Sequence, residues 1–335
     1  MKFLALLFLL PSTLLAQSES GFRFGAITYA DLEMKTYSKD TTAVALVLQE
    51  FGETSISNVD PHNLVLDYHV KIKILKREGF DQANCEIPIR INGSDKEIIT
   101  EIQASTFNLD NNRIKEAKLD PKNTFLENRN KYRNYKKFAL PDIRVGSIIE
   151  IHYVLESPFK FNWRSWEFQS DIPKISSEFW AHIPGNYVYN ITLRGTQELS
   201  KNESEIENDC YTPGGSAKAD CAFFKYAMKD IPAFKEEKFM TAKGNFLSCI
   251  NYELLQVKRF DGVVAKYTEE WKDVNQKLQS DDQFGSQIKQ ARKIWVDDIA
   301  LSTKSAETPL AKAKIIFDQI KKYYRWDDAY ATSPN

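Results

Sequence analysis

Four cysteines and four histidines are the side chains of this 335-residue chain best suited to act as nucleophile, general base or metal ligand. Cys210 and Cys221 bracket the run Tyr-Thr-Pro-Gly-Gly-Ser-Ala-Lys-Ala-Asp. A two-residue hairpin turn at Gly215-Ser216 suits glycine at its first position and sets Cys210 opposite Cys221, which makes the pair a disulfide candidate. The bridge would stabilise the fold by about 3 kcal/mol, less any strain. Pro213 cannot donate to a sheet ladder and confines that strand to an edge. Cys85 and Cys249 have strand context and read as buried free thiols. None of the four cysteines opens a predicted helix, where a thiolate would be stabilised, so none reads as a nucleophile.

The histidines give no better signal. His69 and His152 fall on the polar faces of predicted strands, while His62 and His182 sit beside Pro61 and Ile183-Pro184 at predicted turns. No Cys or His pair has zinc-ligand spacing. The expectation is therefore no catalytic residue, no metal site and no cofactor site in this chain, with Cys210 and Cys221 as its one covalent feature.

The elements that must position these residues follow from hydrophobic period. From about Leu64 to Lys258 apolar residues alternate, as they do along strands. Leu64, Leu66, Tyr68, Val70, Ile72 and Ile74 share one face, and Asp67, His69, Lys71 and Lys73 the other, the pattern of a half-buried antiparallel strand. Similar runs occupy Ile98 to Phe107, Ser147 to Leu155, Tyr187 to Leu193 and Cys249 to Lys258. Turn residues separate them, among them Asn92-Gly93, Asn111-Asn112, Val145-Gly146 and Pro184-Gly185. The fold class is thus mainly β, a large antiparallel β-sandwich or two stacked ones. The aromatic run Phe159, Phe161, Trp163, Trp166 and Phe168 could form a stacking platform for sugar rings or an exposed partner patch. Core filling between sheets is the stronger reading, because each ring buries a large area.

After Tyr267 the period turns helical. Thr268 reads as the cap of a first helix with Trp271, Val274 and Leu278 on one face. Ser286 reads as the cap of a second, with the stripe Ile288, Ala291, Trp295 and Ile299. Thr308-Pro309 opens a third, with the stripe Leu310, Ala313, Phe317, Ile320 and Tyr324. One-sided helices of this kind take most of their stability from whatever they pack on.

Residues 1–16 read as a signal peptide: Lys2 is the charged start, Phe3 to Leu10 the apolar run, and Ala16 the small residue before Gln17. The run is too short to span a bilayer. With no cysteine before Cys85, a soluble periplasmic or secreted protein is expected rather than a lipoprotein, and an oxidising compartment favours the disulfide. The 42 % hydrophobic, 27 % charged and 13 % aromatic content is that of a globular, β-rich protein. A balance of 45 basic against 46 acidic residues points to no nucleic-acid partner.

Several separated motifs, in order, resemble the bacterial domain of unknown function 3857. They are Leu140-Pro141-Asp142-Ile143-Arg144-Val145-Gly146-Ser147-Ile148-Ile149-Glu150, Trp166-Glu167-Phe168-Gln169, Ile183-Pro184, and above all Asp230-Ile231-Pro232-Ala233-Phe234-Lys235-Glu236-Glu237-Lys238-Phe239-Met240. The stretch Tyr29 to Asp40 fits the start of that family. The resemblance implies a β domain that precedes a transglutaminase-like domain in exported Bacteroidetes proteins. Ala311 to Trp326 looks like the helix that opens that second domain. The implied division is a signal peptide over 1–16, the β-sandwich domain over 17–262, and an incomplete transglutaminase-like start over 263–335.

A transglutaminase-like or papain-like site needs a thiolate, a histidine and an orienting Asp or Asn, which in the family lie beyond the matched helix. No Cys or His follows Cys249. The resemblance thus implies an exported non-catalytic module that supports or presents a transglutaminase-like or cysteine-protease-like domain. Its partner would be protein, peptide or cell-envelope polysaccharide. Two alternatives stand beside it: the N-terminal portion of an active transglutaminase-like peptidase or acyltransferase, and a carbohydrate-binding or surface-adhesion module.

Overall fold

The computed structural model describes residues 21–160, 163–214, 217–267, 270–282 and 284–325, and within 288–294 the backbone alone. The signal-peptide reading, Phe161, the Gly215-Ser216 turn, Thr268 and Trp326 lie outside the described residues. So do the side chains of Ile288 and Ala291.

The fold is mainly β. In chain order the strands are β1 (Ala45–Ile56), β2 (Leu64–Ile74), β3 (Asn84–Asn92), β4 (Asp95–Lys96), β5 (Ile98–Asp110), β6 (Arg113–Lys118), β7 (Thr124–Asn130) and β8 (Arg133–Ala139). They continue with β9 (Ile148–Ser157), β10 (Trp166–Glu167), β11 (Lys174–Pro184), β12 (Tyr187–Arg194), β13 (Lys201–Gly214), β14 (Ala217–Ile231), β15 (Cys249–Lys258) and β16 (Val264–Lys266). Among the described residues an eight-stranded sheet runs β13-β14-β11-β1-β2-β9-β5-β6, and two smaller sheets run β10-β15-β12, with β16 on β15, and β4-β3-β8-β7. β16 pairs with β15, Val257 opposite Ala265, so strand pairing runs on through Lys266.

The side-chain alternation of β2 shows how the layers stack. Leu64 and Leu66 enter one hydrophobic cluster with Trp166, Phe179, Met228 and Ile250, under the β10-β15-β12 sheet. Val70, Ile72 and Ile74, on the same face, enter a second with Ile87, Phe138, Ile149 and Ile151, under the β3–β8 sheet. Both small sheets therefore cover one face of the large one. The sandwich is not purely antiparallel, since β1 and β11 run parallel in register Glu50↔Ser177 and Thr54↔Ala181. Parallel neighbours need a long crossover, and everything from β2 to β10 lies in that connection. Asn111 and Asn112, both with positive φ (48° and 58°), close the Asp110↔Arg113 pair as the two-residue turn that strand twist prefers.

The second face of β2 departs from the half-buried expectation: His69, Lys71 and Lys73 are buried. Residues 21–44 cross this face as a strap containing α1 (Tyr29–Glu33). Leu32, Tyr37 and Ala43 of the strap pack with Leu46, Leu48, Phe107 and Ile148 of the sheet. Alternation assigned those polar residues correctly to one side but could not show that a distant segment covers that side.

Of the aromatic run, Phe159, Trp163, Trp166 and Phe168 are buried, so core filling is what these described rings do. Trp166 stacks on Phe179 with centroids 4.9 Å apart. It fits because Gly52 lies beneath it: a Cβ there would sit 2.2 Å from the indole.

Three helices follow the strands, α2 (Trp271–Ser280), α3 (Gln287–Ser302) and α4 (Pro309–Tyr323). The first is capped by Glu270, not by the expected Thr268, in a reciprocal capping box with Asp273. Ser286 stands at the N-cap of α3 without a side-chain cap bond. Thr308 Oγ1 accepts from Ala311 N at 3.2 Å ahead of Pro309, as the sequence suggests for α4. The α4 stripe is not core among the described residues: Leu310, Phe317, Ile320 and Tyr324 are all exposed. No helix among the described residues is long and apolar enough to cross a membrane.

Candidate functional site

Three strands build an acidic cleft beside Cys210 and Cys221. Parallel pairing of β1 with β11 brings Glu53 alongside His182, and the β13–β14 ribbon, hydrogen-bonded to β11 through β14, brings Glu207 to the other side. Glu53 Oε1 lies 2.9 Å from His182 Nε2, and Glu207 Oε2 lies 2.8 Å from Nδ1. An ionised carboxylate can only accept, so the pair of contacts suits a protonated ring in which both nitrogens donate. Burial lowers the pKa of His182, but the two hydrogen bonds and the charges of Glu53 and Glu207 together outweigh it and hold the group above its ordinary 6.5. Phe223 stacks on the ring at 4.0 Å and fixes its plane. His182 thus belongs to the body of β11 and not to the turn expected from Ile183-Pro184.

The cleft has a volume of ≈ 300 Å³ and is lined further by Ser55, Ser57, Asn58 and Pro184. Asn58 ties its floor to the ribbon, donating to the Cys210 carbonyl at 3.1 Å and accepting from Thr212 N at 2.6 Å.

Cys210 and Cys221 are joined as a disulfide, with Cα atoms 5.7 Å apart. They do not face each other as a regular ribbon would place them. Gly214 pairs with Ala217 as the two-residue turn requires, but the register then shifts, so that Tyr211 faces Ala219 and Glu207 faces Cys221. Asp209, with φ 52°, accommodates the extra residues of this bulge. The bulge swings Cys210 inward and leaves Glu207 next to the sulfurs: its carboxylate oxygen and both Sγ atoms lie within 4.8 Å of one another. Regular hairpin counting could not locate Glu207 there, because a bulge has no sequence signal beyond an Asp able to take positive φ.

Most of the remaining candidates lie in buried or half-buried polar networks away from this cleft. Glu150, fully buried, takes one hydrogen bond from the Gly25 backbone N–H and one from His69 Nε2, both 2.9 Å, while Phe22 of the strap stacks on His69 at 3.9 Å. Lys71 Nζ donates to the Ala26 carbonyl at 2.7 Å. Lys73 Nζ donates to the Leu32 and Gly146 carbonyls at 2.6 Å, and burial pulls its pKa down to about 8. His152 hydrogen-bonds Asp67 at 2.8 Å, and that bond with the charges of Asp67, Glu101 and Glu150 holds it above 6.5 despite burial. On the opposite face Glu50 is buried with Lys174, Ser177 and Tyr68 as partners at 2.6, 2.6 and 2.9 Å. These are satisfied polar networks of the interior, which fix strand register more than they provide chemistry. Cys85 and Cys249 are unbridged, both on strands, and burial pushes the Cys85 thiol up to about 12. His62 sits in the turn expected for it, with φ 57°.

No family model matches the chain, and no curated protein matches it. Solved structures do. The chain is similar to a Parabacteroides distasonis protein described as a "putative protease", with 11 % identity and a TM-score of 0.55, over 83 % of this chain and 50 % of that one. The chain therefore spans half the length of that protein. The likeness is one of fold. Yeast leukotriene A4 hydrolase in complex with bestatin (9 % identity, TM-score 0.28, 64 % of this chain and 29 % of that one) is far less similar. So is an M1 zinc metallopeptidase from Deinococcus radiodurans (7 %, 0.23, 54 % and 38 %).

Proposed function

We propose that this chain is the non-catalytic β part of an exported protein, a domain of the unknown-function-3857 type that supports or presents a transglutaminase-like or cysteine-protease-like domain and takes part in binding protein, peptide or cell-envelope material. The observation that carries this reading is the uncovered apolar surface of the helices. Trp271 of α2 is 88 % exposed, and Leu310, Phe317, Ile320 and Tyr323 of α4 face solvent, while the β region buries its own hydrophobic clusters. Apolar stripes of this kind belong against another layer of structure. A β fold shared with half of a protease-like protein supports the kind of layer. The burial of Trp163, Trp166 and Phe168 argues against a sugar-stacking platform at the aromatic run.

The strand setting of all four cysteines and the raised Cys85 thiol support the non-catalytic part of the proposal. Purified chain, assayed with peptide amides and amine-transfer substrates under reducing conditions, should give no turnover. Thiol-dependent activity that survives repurification and disappears in Cys85→Ser or Cys249→Ser would overturn the assignment. The genomic reading frame beyond Asn335 supplies the second check: Cys, His and Asp in the family's order would identify the supported domain as an active enzyme.

A further inference from the structure

Five side chains meet at the cleft mouth whose chemistry the proposed function does not use: Cys210, Cys221, Glu207, His182 and Glu53. We propose that this cleft is a redox-gated site for a thiophilic divalent cation such as zinc, closed while the Cys210–Cys221 disulfide is intact and opened when a thiol or phosphine reductant splits it. Zinc takes four ligands in a tetrahedron and favours thiolate, imidazole and carboxylate donors. Reduction would supply two sulfur donors already brought together by the bulged ribbon, whose strands remain paired at Glu207↔Cys221 and Tyr211↔Ala219. The carboxylate of Glu207, within 4.8 Å of both sulfurs, is the third donor, and water fills the fourth position.

The surroundings resemble the support that metal ligands receive. Glu207 is oriented by a hydrogen bond from His182 Nδ1 at 2.8 Å, and His182 is in turn held by Glu53 at 2.9 Å. Chains of this sort, ligand to imidazole to carboxylate, set the aim and basicity of ligating groups. Cys210 is only half-buried and lines the open cleft, so a small reductant can reach it. Two carboxylates against one imidazole ring leave the mouth negative in either protonation state of the ring, which favours entry of a cation.

The bonds balance as follows. A dithiol donates two electrons and two protons, leaving as a cyclic disulfide while the S–S bond becomes two thiols. With a phosphine, one water gives its oxygen to phosphorus and its two hydrogens to the sulfurs. Binding of the cation then releases both thiol protons to solvent.

The test uses the whole mature chain and Co²⁺ as the probe, because a thiolate–cobalt charge-transfer band reports sulfur ligation directly. Phosphine-reduced protein should bind one Co²⁺ with this band and release it to added Zn²⁺, and oxidised protein should show none. Cys210→Ser should abolish the band, Cys85→Ser should leave it intact, and His182→Gln should weaken binding by roughly tenfold or more. Strand circular dichroism followed in parallel should survive reduction. A cobalt band of equal strength in oxidised protein, its persistence in Cys210→Ser, its absence from reduced protein with native strand signal, or melting of the strands on reduction would each overturn the proposal.

Discussion

The two carboxylates beside His182 favour its protonated form, and that has a sign. Its folded pKa is raised above the ordinary 6.5, so its contribution to stability is fully present below the unfolded value and is lost as pH rises through the folded one. His152 acts in the same direction. The melting temperature should therefore fall as pH rises above about 6.5, until Lys73 begins to titrate near 8 with the opposite sign, and His182→Gln should flatten part of that fall. Glu207 is partly exposed and screened, which limits the effect to about 1 kcal/mol or less. A rising melting temperature over this window, in wild type but not in His182→Gln, would contradict the charge assignment. Gly52 makes a sharper residue-scale case. Gly52→Ala drives a methyl to 2.2 Å from the Trp166 ring and should cost about 1–3 kcal/mol in a denaturant melt, because a packed core yields little. Gly244→Ala, with nothing within 4 Å, should stay within about 0.5 kcal/mol.

Among elements, the strap is the one whose position depends on polar groups. Gly25, Ala26 and Leu32 are each held by a charged side chain of the large sheet, Glu150, Lys71 and Lys73. Glu150→Gln keeps the shape but removes charge from both of its hydrogen bonds, at a cost of about 1.5–3 kcal/mol. The strap should loosen first, so trypsin should cut after Arg23 faster in the variant than in wild type; equal rates would mean that Phe22 and Leu32 suffice to hold it. At the other end α2 and α4 bury no side chain. Short helices without packing are marginal, so amides of Leu64 to Ile74 should exchange slowly and those of Pro309 to Tyr323 quickly. Equal protection would show that the helices are covered in solution.

At the scale of the molecule, the large sheet is the shared wall of three hydrophobic clusters, and among the described residues none of the three contains a side chain of α2, α3 or α4. The β region therefore carries its own core. A fragment ending at Lys266 should melt cooperatively within a few degrees of the whole chain; loss of cooperativity in the fragment would show that the helices are part of the folding unit.

The sequence alone determined what repeats at short range. Strand period gave β2, β5, β9 and β15 and the apolar face of β2, turn residues placed Asn111-Asn112, and Thr308-Pro309 marked the start of α4. Backbone sterics and side-chain alternation act between neighbours, so they are legible without partners. Cys210 and Cys221 were also nameable, since few residues separate them. What only the tertiary structure decided is what covers what. The burial of His69 and Lys73 depends on a strap some forty residues away in sequence, on the order of seven typical strand lengths. Glu207 sits against the sulfurs because a bulge shifts the ribbon register, and His182 gains a second carboxylate neighbour because a parallel crossover sets Glu53 beside it. Long-range contacts of this kind have no period, and no local rule encodes them.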